Sequence, residues 1–166
     1  MALGWNNLGE VRVAAGETEE AERLYRRAIS ILERKFGSAH PWVAAVYNNL
    51  GRVAQRRGEY EEAERLLRRA VSSWEESLGR EHPHVAAGLG NLAEFYALRG
   101  RYAAAAQLYA QARRIYEKAL GPGHRETVSM NCGLAKVYLS QRRYTEAEKL
   151  LGPDGCGSPA PVAPRT

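Results

Sequence analysis

Between residues 43 and 54 the apolar side chains fall three or four positions apart, as Val43, Tyr47, Leu50 and Ala54. That is the step of one face of an α-helix. Beyond Gly58 the same step resumes with Ala63, Leu66, Leu67, Ala70, Val71 and Trp74. The spacing predicts two helices joined by a tight turn. His40-Pro41 reads as a helix start, because proline at the first helical position lacks only a donor that would have no partner there, and its φ is already helical. Arg56 and Arg57 suit the negative end of the first helix. Gly58 supplies the turn. The second helix then runs from about Tyr60 to Leu78-Gly79.

This pattern recurs every 42 residues. Gly-Glu-Thr-Glu-Glu-Ala-Glu begins at Gly16, Gly-Glu-Tyr-Glu-Glu-Ala-Glu at Gly58, Gly-Arg-Tyr-Ala-Ala-Ala-Ala at Gly100 and Arg-Arg-Tyr-Thr-Glu-Ala-Glu at Arg142. His40, His82 and His124 keep the step, as do Gly37, Gly79 and Gly121. Small residues recur where helices must approach closely: Gly9, Gly51, Ala93 and Ala135 in the first helix, Ala21, Ala63, Ala105 and Ala147 in the second. Bulky ones fill the complementary positions, Leu8, Leu50, Leu92 and Leu134, then Leu24, Leu66, Leu108 and Leu150. A fixed period of this length predicts stacked supersecondary units that present an extended surface, with the core running along the stack.

The order Tyr47, Leu50, Gly51, Gly58, Tyr60, Ala63, Leu67, Ala70 resembles the tetratricopeptide repeat. That repeat usually has 34 residues. The longer unit resembles the variant found in kinesin light chain and its bacterial relatives, through Tyr47-Asn48-Asn49-Leu50, Gly58-Glu59-Tyr60-Glu61-Glu62-Ala63-Glu64 and Leu78-Gly79-Arg80-Glu81-His82-Pro83. The expected fold is all-α, a right-handed superhelical solenoid of about three and a half helix hairpins. The expected domain spans 1–151, with units of about 1–37, 38–79, 80–121 and 122–151. Residues 152–166, with four prolines and three glycines, read as a disordered tail. The fourth unit departs from the pattern, with Arg142 for the turn glycine, Asn131 at a bulky position and Gly133 for the repeated asparagine.

Charge changes this picture little. The net charge is +5 and the isoelectric point about 9.4. Yet Glu19 precedes Arg23 by four residues, as Glu22 precedes Arg26, Glu61 precedes Arg65 and Glu64 precedes Arg68. Such pairs stabilise one helix face by roughly 0.2–0.5 kcal/mol each, and they read as solvated surface. No aromatic-rich basic stripe supports nucleic-acid binding through the arginine-rich second helices. No apolar run of membrane length and no signal-peptide pattern are present, so a cytoplasmic location without membrane association is the expectation.

Candidate chemistry is sparse. Cys132 and Cys156 give neither a disulfide framework nor metal spacing, and Cys132 shows no recognisable His and Asp arrangement for a catalytic thiol. The loop histidines lie a full repeat apart and read as helix-start residues, with no ligand spacing around them for a metal. Glycines occur singly and form no phosphate loop. The expectation is a non-enzyme with no catalytic residue, cofactor or metal.

In tetratricopeptide arrays the first helices line the concave face. Opposite the core positions they carry Asn6, Asn7, Glu10, Asn48, Asn49, Arg52, Arg56, Asn91, Glu94 and Lys136. Asn7, Asn49 and Asn91 repeat with the period. A side-chain amide both donates and accepts, so such a row can hold the backbone of an extended peptide; bridging adjacent helices is the other use of the same amides. The resemblance implies that an asparagine at this position holds ligand backbone or a C-terminal carboxylate. Arg52 and Arg56, four apart, suit an acidic side chain. The expected partner is therefore a protein or peptide with acidic residues. An oligomerisation or scaffold segment of a larger multidomain protein is the alternative, with self-association through an N-terminal edge formed by Leu3, Trp5, Leu8 and Val11.

Overall fold

The computed structural model describes residues 2–151, and the expectation for residues 152–166 lies outside them. The described chain holds eight helices: α1 Ala2–Ala14, α2 Thr18–Phe36, α3 Pro41–Arg56, α4 Tyr60–Leu78, α5 Pro83–Leu98, α6 Tyr102–Leu120, α7 Arg125–Ser140 and α8 Tyr144–Leu151. They form four antiparallel hairpins in the expected solenoid, each packed on the next. No strand occurs among the described residues.

The recurring histidines explain where α3, α5 and α7 begin. Nδ1 of His40 accepts from the backbone N–H of Trp42 at 3.2 Å. His82 does the same for His84 at 3.1 Å, and His124 for Glu126 at 3.2 Å. The imidazole thus satisfies one of the donors that a helix start leaves without an intrahelical partner. At the hairpin turns Gly16, Gly58 and Gly100 have φ of 81°, 81° and 72°, the left-handed region where a side chain is strained. Arg142 occupies that position in the fourth hairpin with φ 59°, so the fold imposes the turn without glycine.

The core follows the small and bulky registers. Ala21, Ala63 and Ala105 are fully buried, with Ala147 at 1% exposure. Leu50, Leu92 and Leu134 are buried between hairpins, each a burial that stabilises by about 1.5–3 kcal/mol. Leu8 occupies the same position but is 40% exposed, and Val11 is 62% exposed where Val53, Phe95 and Val137 are each 2%. The difference is geometric: among the described residues no hairpin packs on that side of α1.

The outer surface carries the expected ion pairs in part. Arg26 meets Glu22 at 2.8 Å and Arg68 meets Glu64 at 3.0 Å. Arg23 and Arg65 instead select carboxylates three residues back, Glu20 and Glu62. Both spacings lie on one helix face, so rotamer choice decides between them.

Candidate functional site: the face of the first helices

Consecutive first helices touch one another, α1 with α3, α3 with α5 and α5 with α7, whereas the second helices of successive hairpins pair far less. A stack spaced more tightly along one layer curves with that layer inside. The odd-numbered helices therefore form the concave face.

Two amide rungs cross this layer. Asn49 Nδ2 donates to Asn6 Oδ1 at 3.1 Å and to Glu10 Oε1 at 3.1 Å, and Asn6 Nδ2 donates to Glu10 at 3.2 Å. Asn91 Nδ2 donates to Asn48 Oδ1 at 2.9 Å. Each rung joins positions 43 residues apart, not 42, because the donor of one helix reaches the neighbouring position of the helix before it. Asn48 is only 8% exposed, so it lies between helices and does not open onto the groove surface as expected. Asn7 is exposed and takes part in no rung among the described residues.

The third rung is missing. Gly90 and Gly133 stand where the asparagines would be. A Cβ on Gly90 would lie 2.9 Å from Met130 Sδ, and one on Gly133 would lie 2.5 Å from the Tyr109 ring. Met130 and Tyr109 have taken the space of the amides. Tyr25, two repeats before Tyr109, leans the other way, where a Cβ on Gly9 would lie 2.5 Å from its ring. Ala93 fills that place in the third hairpin, and the ring turns toward Gly133 instead.

Two clefts result. One of about 480 Å³ is lined by Glu10, Tyr25, Asn49, Arg52 and Arg56. The other, about 590 Å³, lies between α5, α6 and α7 and includes Asn91, Glu94, Tyr109, Met130 and Lys136 in its wall. Nine of the ten groove residues expected from sequence thus divide between rungs and clefts, and Asn7 stands in neither. The tyrosine floors were missed, although Tyr25 and Tyr109 at two-repeat spacing were a visible signal.

Electrostatics separates the clefts. Burial pushes the Tyr25 hydroxyl up to about 12, with Glu10 adding to the rise and Arg52 and Arg56 opposing it. Burial and then Glu94 push Tyr109 up to about 12. Burial and Glu126 do the same for Tyr116. On the outer side, Tyr96 donates to Glu64 at 2.7 Å, and this bond holds the carboxyl below its ordinary range despite partial burial. Cys132 also lines the larger cleft.

A tetratricopeptide-repeat profile matches residues 1–76, 43–118 and 84–152. The chain belongs to the tetratricopeptide-repeat family. Repeats of this family are protein–protein interaction modules. The fold is similar to a candidate kinesin light chain of Podosopora anserina with nearly identical tetratricopeptide-like repeats, at 28% identity and TM-score 0.80, covering 89% of this chain and 70% of that one. It is similar to BtubC (BKLC) from P. vanneervenii at 21% identity and TM-score 0.81, over 89% of this chain and 59% of that one. The apo form of RapI shares the fold at 19% identity and TM-score 0.79, over 90% and 53% of the two chains. The chain thus spans little more than half the length of the last two. No curated protein matches the sequence. Among the described residues no helix is long and apolar enough to cross a membrane.

Proposed function

We propose that this tetratricopeptide domain binds an extended segment of a partner protein along the face of its first helices. The observation that carries the reading is the cleft around Arg52 and Arg56. Both guanidinium groups are exposed on the inner layer, and neither forms an ion pair among the described residues, while arginines of the outer helices are widely paired. An unpaired guanidinium offers its full set of donors to a carboxylate.

The rungs revise how the ligand backbone is held. Asn49 spends both of its N–H donors on the neighbouring helix, on Asn6 and Glu10, and Asn91 spends one on Asn48. An amide nitrogen carries two hydrogens and an amide oxygen two lone pairs, so the second N–H of Asn91 and the Oδ1 acceptors of both residues remain for a ligand backbone. The rungs also keep those amides in one orientation, which lowers the ordering cost of binding.

The test is a pull-down with three forms of the chain: unchanged, Arg52→Glu with Arg56→Glu, and Arg34→Glu on the outer surface. Proteins retained by the first form are expected to be lost with the groove reversal and kept with the outer one. Retention that survives the groove reversal at unchanged melting temperature sinks the reading.

A further inference from the structure

One position of the first helix reads Glu10, Arg52, Glu94, Lys136 along the stack, alternating in sign at every repeat. All four are exposed on the same layer. Glu10 is occupied by the amides of Asn6 and Asn49. Arg52, Glu94 and Lys136 form no ion pair among the described residues, although Arg57, Arg69 and Arg101 on the outer helices and turns reach across repeats to Glu22, Glu33 and Glu64. The inner charges of opposite sign stand at one position of successive first helices and have not neutralised one another.

From this alternation we infer that the groove reads charge pattern and not net charge: its ligand is an extended peptide carrying an acidic, a basic and an acidic side chain about three residues apart. The inference rests on the groove reading above and gives it a specificity. Neighbouring helices sit roughly 8–10 Å apart, and a peptide extended as polyproline II rises about 3.1 Å per residue with about three residues per turn, so side chains three residues apart share one face and span one repeat. The first acidic side chain meets Arg52 and Arg56, the basic one meets Glu94, and the second acidic one meets Lys136. The pattern is the same read from either end, so charge alone leaves the chain direction open. A uniformly acidic peptide gains at Arg52 and Lys136 but meets Glu94 with like charge, and like-charge contacts reject a partner more sharply than matched ones attract it.

The experiment is selection of a random dodecapeptide display library on the unchanged chain and on Glu94→Lys. The unchanged chain is expected to enrich acidic–x–x–basic–x–x–acidic sequences. Glu94→Lys is expected to replace the central basic residue by an acidic one. A synthetic peptide of the first pattern should lose about threefold to tenfold in affinity on Glu94→Lys and recover when its own basic residue becomes acidic, because each exposed contact is modest. Raising salt from 0.15 M to 1 M should erase the preference. Enrichment of uniformly acidic peptides that bind Glu94→Lys more tightly, yet are lost with Arg52→Glu, overturns the alternation while leaving the groove reading in place. No enrichment, or peptides indifferent to Arg52→Glu, Glu94→Lys and Lys136→Glu alike, overturns both.

Discussion

The two ends of the concave layer solve one packing problem in different ways. From α1 to α5 the first helices are joined by amide rungs, Asn6 with Asn49 and Asn48 with Asn91. From α5 to α7 they are joined by a glycine pair into which Met130 and the Tyr109 ring pack. A rung of hydrogen bonds needs two partners in register. A ring against a glycine needs only volume. The first fixes helix spacing and leaves polar groups at the surface; the second opens a larger cleft floored by an aromatic ring. The same repeat therefore gives one chain two kinds of contact surface.

The sharpest way to break this comparison is to force the polar solution onto the other end. Gly133→Asn places a side chain 2.5 Å from the Tyr109 ring. Overpacking of this kind should cost about 1–3 kcal/mol in a denaturant melt. The second repeat carries Leu67 where the third carries Tyr109, and there Asn91 is tolerated. Adding Tyr109→Leu should therefore recover most of the loss. If Gly133→Asn alone were neutral, the glycine would not be required by the ring.

The rungs should show the next largest effect. Asn91→Ala leaves the buried Asn48 Oδ1 without its 2.9 Å donor. An unsatisfied buried acceptor costs about 1–3 kcal/mol. Asn49→Ala, at a more exposed rung, should cost about 1 kcal/mol on the scale of a single net hydrogen bond. Equal and negligible losses would mean that the amides serve the surface alone.

Alkaline titration gives the smallest and most specific reading. Both groove tyrosines are raised from 10 to about 12, so the folded state holds their protons more tightly than the unfolded chain. The stability linked to them is complete below pH 10 and is lost as pH rises from 10 toward 12. Arg52→Gln removes a cation that favours the phenolate, so Tyr25 should ionise later. Glu94→Gln removes an anion that opposes it, so Tyr109 should ionise earlier. Tyrosinate absorbance near 295 nm, compared with Tyr25→Phe and Tyr109→Phe, separates the two. Shifts of the same sign would contradict the contrast between the clefts.

Periodicity alone determined much of this protein. Three- and four-residue spacing of Val43, Tyr47, Leu50 and Ala54 is enough for a helix, because only one face of a helix repeats at that step. The 42-residue recurrence of Gly58-type turns and His-Pro starts is enough for a stack of hairpins. The exposure of Arg52 and Arg56 followed as well, since both lie opposite the core positions. Tertiary structure decided what periodicity cannot carry. Leu8 and Leu50 are the same residue at the same repeat position, yet one is 40% exposed and the other 2%, because burial depends on what lies beside a helix. Asn49 and Asn91 recur in sequence as a row of free amides. Only packing shows that each is held by the helix before it, one position out of register, and that two glycines end the row where an aromatic ring needs the room. A repeat specifies its own backbone locally, but contacts between repeats depend on volumes drawn from two units at once, and those volumes meet only in the folded stack.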